Sequence, residues 1–227
     1  MRLLWIAVPV LAWASPAVAA DVSGDIGVVS DYRYRGVTLS RGHPAVQASL
    51  TLEHDSGLYA SVWGSTLGHE EEIEADFTAG YSKDLSEAFN IDLSGSYFTY
   101  PTGGDEDYFE ATAIATMTKG SASASLGFSY IPPQRATRDD EGDATGNGYL
   151  FGSVEYQLPK SPVTVRVGLG YERGAFDEVE HGKKFDWNIG AEMKLKPVRI
   201  SVTYVGSNAD RGAGDHHAIV ASAFAEW

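Results

Sequence analysis

The residues able to do chemistry in this chain sit mostly at alternate positions of short segments. Asp31 and Arg33 share one face, and so do Glu72, Glu74 and Asp76. Asp92, Glu110, Glu155, Arg166, Glu192 and Arg199 each stand where every second side chain is polar. A period of two sends successive side chains to opposite faces of an extended strand. Charges on one face and aliphatics on the other describe strands with one wet side and one apolar side. Other groupings have only part of an enzymatic form. His69-Glu70-Glu71-Glu72 begins like the zinc-protease HExxH, but Ile73 occupies the place of the second His, so the run reads as an acidic loop. His216 and His217 are adjacent, and on a strand they point apart. Ser121, Ser123 and Ser125 lie on a polar face without a matching His, unlike the outward Ser and His of a barrel lipase. No glycine-rich loop follows a strand and opens a helix, so nucleotide binding has no support. The expectation is no catalytic residue, no metal and no cofactor.

The elements that must position these residues are twelve segments of alternating polarity: 22–34, 45–53, 58–66, 72–81, 90–100, 108–118, 122–130, 148–158, 163–172, 184–195, 198–207 and 217–227. The fourth is clean, with Ile73, Ala75, Phe77, Ala79 and Tyr81 opposing Glu72, Glu74, Asp76 and Thr78. The third is ambiguous, because Tyr59 and Trp63 oppose Leu58, Ala60 and Val62. Connections alternate in length: short turns fall near 54–57, 82–89, 119–120, 159–162 and 196–197, and longer polar loops near 35–44, 101–107, 131–147, 173–183 and 207–216. Only the link at 67–71 is short where a long one belongs. Short turns at one end and long loops at the other are the mark of an up-and-down membrane barrel.

Aromatics sort by depth in the same scheme. Tyr32, Tyr34, Tyr97, Tyr130, Tyr171, Trp187 and Tyr204 fall at the outer ends of the apolar faces, and Tyr81, Tyr156 and Trp227 at the inner ends. Aliphatic residues and glycine fill the middle. Two aromatic girdles around an aliphatic band are what a bilayer selects; a secreted β-sandwich has no reason to sort them so. The segment 217–227 ends on Trp227, and a terminal aromatic on a closing strand resembles the signal read by barrel-insertion machinery.

The chain has 227 residues, no cysteine and a formal charge of −14. Met1-Arg2, an apolar run from Leu3 to Trp13, a break at Ser15-Pro16 and the small residues Ala17-Val18-Ala19-Ala20 predict a cleaved signal peptide over residues 1–20. The apolar run is shorter than the ~20 residues a spanning helix needs. Removing Arg2 from the 17 basic residues leaves 16 against 31 acidic ones, or −15. That balance argues against nucleic acid as a partner and fits an acidic surface or an acidic channel. Charges cannot face lipid cheaply, so they should line a wet interior, with Arg33, Arg166 and Arg199 meeting carboxylates across it.

The run Gly27-Val28-Val29-Ser30-Asp31-Tyr32-Arg33-Tyr34-Arg35-Gly36-Val37-Thr38-Leu39-Ser40 resembles the opening of the TorF-like family of candidate outer-membrane porins, formerly catalogued as a bacterial domain of unknown function. Pro44-Ala45-Val46-Gln47, His54-Asp55-Ser56-Gly57-Leu58-Tyr59, Val62-Trp63-Gly64-Ser65 and Ile73-Glu74-Ala75-Asp76-Phe77 continue the likeness. The resemblance implies an outer-membrane barrel and carries no catalytic residues. The sequence thus predicts an all-β, transmembrane, antiparallel up-and-down barrel of about twelve strands over residues 21–227. Its expected role is passive diffusion of small hydrophilic solutes or ions, with a cation-leaning acidic lumen and lipid around it. A structural or adhesin-type barrel with a plugged lumen, and an outer-membrane lipid-modifying enzyme, remain the alternatives.

Overall fold

The computed structural model describes residues 20–68, 72–102, 107–139, 141–177, 183–209 and 216–227. The expected signal peptide, apart from Ala20, and the acidic run His69–Glu71 lie outside the described residues. In chain order come β1 (Ala20–Val29), a short pair β2 (Arg33–Tyr34) and β3 (Val37–Thr38), then β4 (Ala45–His54), β5 (Leu58–Thr66), β6 (Ile73–Ser86), β7 (Phe89–Thr99) and β8 (Tyr108–Lys119). β9 (Ala122–Ile131), β10 (Asn147–Gln157), β11 (Val163–Gly174), β12 (Lys184–Leu195), β13 (Val198–Ser207) and β14 (His217–Glu226) complete it. All but β2 and β3 form one closed antiparallel barrel, sealed by β1, which bonds β4 on one side and β14 on the other. Closure leaves no free edge strand, the condition for crossing hydrocarbon without helices. No helix among the described residues is long and apolar enough to cross a membrane.

Alternation decides what each face does. Ile26 and Val28 on β1, Leu126 and Phe128 on β9, and Val167 and Leu169 on β11 all project outward with no protein over them; Leu169 and Ile219 are 66% and 72% exposed. That continuous apolar belt is the surface that lipid would cover. The ambiguous third segment is settled by a glycine. The Tyr59 ring lies against Gly80, where a Cβ would come within 2.4 Å of its Cζ. The Tyr59 hydroxyl donates to Asp92 at 3.0 Å, so Tyr59 and Trp63 face inward and Leu58, Ala60 and Val62 face out.

One expectation fails in an informative way. The first segment was expected to run extended to Tyr34, but β1 stops at Val29 and the chain turns into the barrel. Asp31 causes the turn. Its Oδ1 accepts from Thr38 Oγ1 at 2.6 Å, Ser40 Oγ at 3.1 Å and Gly42 N–H at 3.2 Å, while Oδ2 takes Arg33 Nε at 2.5 Å. Tyr34 then pairs with Val37 across a two-residue turn of Arg35 (φ 48°) and Gly36 (φ 82°). Two positive φ values make a turn whose twist matches the strands it joins.

Candidate functional site in the barrel interior

The inward-turned hairpin crosses the lumen. Gly36 lies so close to β12 and β13 that a Cβ there would sit 2.7 Å from the Gly206 carbonyl and from Ser207 Cβ. At the tip, the Arg35 guanidinium reaches Glu110 on β8 and Glu172 on β11, the latter at 2.5 Å. Going round the barrel, β8 stands five strands from β1 and β11 four the other way, so Arg35 bridges the near wall to the far one. Tyr34 and Tyr149 cover its faces, with Cζ 4.7 and 4.2 Å from the ring centroids. Rings of this kind stabilise a desolvated cation. Glu172 also accepts from Lys184 Nζ at 2.7 Å and Asn147 Nδ2 at 2.8 Å, so its burial is matched by charge and hydrogen bonds. Gly170 makes the room: a Cβ there would meet the Tyr149 hydroxyl at 2.2 Å and Asp186 Oδ2 at 2.3 Å.

Beside this clamp, two aromatic clusters pack under the long loops. Val29, Tyr32, Ala45 and Phe224 form one, with Trp63 against it; Phe98, Tyr108 and Ile131 form the other, with Tyr34, Tyr100 and Phe176 against it. Glu74 and Asp76 of β6 project between them. Trp63 and Phe98 are the partners of Asp76 on the neighbouring strands. Tyr100 donates to Glu74 Oε1 at 3.2 Å, and Tyr32 lies near Glu74. Burial is the main reason that the hydroxyls of Tyr32, Tyr34 and Tyr100 titrate above the ordinary phenol range, which keeps them neutral donors.

Toward the short turns the interior changes character. Hydroxyls pair across strands: Thr78 with Ser96 at 2.8 Å, Thr116 with Ser125 at 2.9 Å, Thr118 with Ser123 at 2.9 Å and Ser201 with Ser222 at 2.7 Å. Arg199 gathers Glu226 at 2.5 Å, Asp25 at 3.4 Å and Glu192 at 3.4 Å. Arg166 meets Glu155 at 3.3 Å, both well exposed. A cavity of about 390 Å³ opens there, bordered by Glu53, Tyr59, Asp84 and Asp92.

The charged residues singled out from sequence are therefore placed as follows. Asp31, Arg33, Glu74, Asp76, Asp92, Glu110, Glu155, Arg166, Glu192 and Arg199 all face the interior, and Glu72 lies half-buried just before β6. They do not act as one network. Asp31 and Arg33 hold the hairpin, Glu110 belongs to the Arg35 clamp, and Arg166 and Arg199 keep separate local partners. Arg35, the centre of the outer half, falls in the expected loop 35–44; its signal is the Arg35-Gly36 pair between Tyr34 and Val37, a two-residue turn.

Among the girdle aromatics, Tyr97, Tyr130, Tyr156, Tyr204 and Trp227 are exposed on the outer face. Tyr171 leans on Phe185 there, with centroids 5.0 Å apart, and Tyr81 lies opposite outward Leu58. Trp187 shares their face but fills the gap over Gly206, where its ring would meet a Cβ at 2.7 Å. Tyr32 and Tyr34 correct the expectation: both are inside, Tyr32 against Trp63 with centroids 5.3 Å apart and Tyr34 against Phe98 at 6.1 Å. The reversal follows from β1 ending at Val29, after which lipid-side alternation no longer applies.

A closed twelve-strand barrel with an apolar belt and a polar interior has the fold of the porins. It is similar to the KdgM porin (TM-score 0.61, 11% identity, 90% of this chain and 98% of that one). The same porin solved in complex with disordered oligogalacturonate gives TM-score 0.61 at 10% identity, covering 92% and 98%. The COG4313 outer membrane channel from Pseudomonas putida F1 gives TM-score 0.52 at 10% identity over 97% of this chain and 99% of that one. No curated protein matches the sequence. The chain belongs to the family described as bacterial protein of unknown function (Gcw_chp), which it matches over residues 13–225.

Proposed function

We propose that the protein is an outer-membrane, porin-like channel for passive diffusion of small hydrophilic solutes, cation-leaning, and narrowed at its long-loop end by the Arg35 hairpin. The reading includes the TorF-like resemblance and a signal peptide cleaved near Ala20, which mass determination of the mature chain would test. The observation that carries it is the interior of the short-turn half: hydroxyl pairs and half-exposed charges around open space, which a barrel serving only as a scaffold would fill with packed side chains. Cation leaning rests on carboxylates, because charged rings along a pore set its selectivity. The KdgM porin is solved with oligogalacturonate, a polyanion; the exposed carboxylates here favour neutral or cationic solutes instead.

A second reading has its own observation. The Arg35 clamp spans the lumen and could close it, leaving a structural or adhesin-type barrel. Planar-bilayer recording of pure refolded protein separates the two. Discrete conductance steps with a cation-signed reversal potential in a KCl gradient are expected, and Glu74→Gln with Asp76→Asn should move that potential toward zero. Absence of steps would sink the channel reading.

A further inference from the structure

Glu74 and Asp76 differ from every other acidic pair in the outer half, because no cation answers them. Arg33 is engaged by Asp31, Arg35 by Glu110 and Glu172, and Lys184 by Glu172; none of the ion pairs among the described residues reaches β6. Glu74 is 2% exposed, yet its Oε2 has no hydrogen-bond donor, and neither has the buried Oδ1 of Asp76. Asp186 Oδ2 is also without a donor, but it shares the interior face of β12 with Lys184, beside the Arg35 clamp. A carboxylate buried without a donor forfeits the hydration it had in water and gains nothing in exchange.

The surroundings say what kind of donor fits. Four rings border the two carboxylates: Trp63 and Phe98 beside Asp76 on the adjacent strands, and Tyr32 and Tyr100 against Glu74. Among the described residues no three carboxylates or histidines converge as metal ligands. Ring faces attract a cation electrostatically, and free carboxylate oxygens accept strongly from the N–H groups of a cation. A primary ammonium offers both a charge and three donors.

We propose that Glu74 and Asp76, with Tyr32, Trp63, Phe98 and Tyr100, form a subsite for the primary alkylammonium group of a permeating solute. This rests on the channel reading and names its solute class. The half-buried Asp76 is the side open to the lumen, and Glu74 is the deeper acceptor.

The test is calorimetric titration of the full refolded chain in detergent with ethylammonium, tetramethylammonium and potassium chlorides. Saturable binding of ethylammonium is expected, with tetramethylammonium, which has no N–H, clearly weaker and potassium weaker still. Glu74→Gln with Asp76→Asn should abolish saturable binding. Trp63→Leu, which keeps both carboxylates, should weaken it about fivefold, and heat-modifiable gel migration reports whether each variant is folded. Equal binding of tetramethylammonium, unchanged binding in either folded variant, or no saturable binding by the wild type would overturn the proposal. Binding is read in detergent, so a protein that binds but does not conduct refutes the channel and leaves the subsite standing. One that conducts without binding does the reverse.

Discussion

The two halves of the barrel interior are built from the same wall but differ in how they are filled. Near the long loops, charged groups are buried, and those of the hairpin and its clamp are tied to several partners: Glu172 alone receives Arg35, Lys184 and Asn147. Near the short turns, most side chains pair singly, hydroxyl to hydroxyl or Arg166 to Glu155, and even Arg199 with its three carboxylates stays partly exposed. The wall does not explain this, since β4 to β14 run through both halves. The difference comes from residues 30–43, which leave the wall and occupy one half only. What separates a constriction from a vestibule is therefore an added segment.

That contrast can be broken most severely at the clamp. Arg35→Ala leaves Glu110 buried without its cation and strips Glu172 of one of two; loss of one partner of a buried pair costs about 3–5 kcal/mol. Urea unfolding in detergent should show that loss. Gly36→Val keeps every charge but forces a side chain onto a positive φ and against the Gly206 carbonyl. The expected cost is about 1–3 kcal/mol, read in the same unfolding experiment. In the other half effects should shrink. Ser201→Ala removes one neutral hydrogen bond from a partly exposed pair, worth about 1 kcal/mol. Arg166→Gln breaks an exposed ion pair and should change stability by less than about 1 kcal/mol. If Arg166→Gln proved as costly as Arg35→Ala, the division of the lumen drawn here would be wrong.

The wall was legible in the sequence and the added segment was not, for one physical reason. Period-two alternation reports which side of a strand meets lipid, and it held from β4 to β14. It places Glu74 and Asp76 inside and Leu126 and Phe128 outside, as the structure has them. The same alternation continues past Val29 through Asp31, Arg33 and Arg35, so it extended the first strand too far and sent Tyr32 and Tyr34 to the lipid face. What ends the strand is a side chain gathering backbone and hydroxyl donors up to eleven residues away, Asp31 to Gly42, a non-periodic event. The third strand stayed ambiguous for a different reason: its period was clear, but aromatic and aliphatic faces both look apolar. Gly80, on the next strand, decides it by making room for Tyr59. The run that carries the family resemblance, Gly27 to Ser40, is largely the run that folds inward.

The central claim is that an open barrel is narrowed by the Arg35 hairpin, and single-channel conductance of wild type against Arg35→Ala tests it most directly. Discrete steps are expected for the wild type and larger steps for the variant, because the clamp that holds the hairpin across the lumen is gone. Steps of equal size in the two proteins, or none in either, would contradict it.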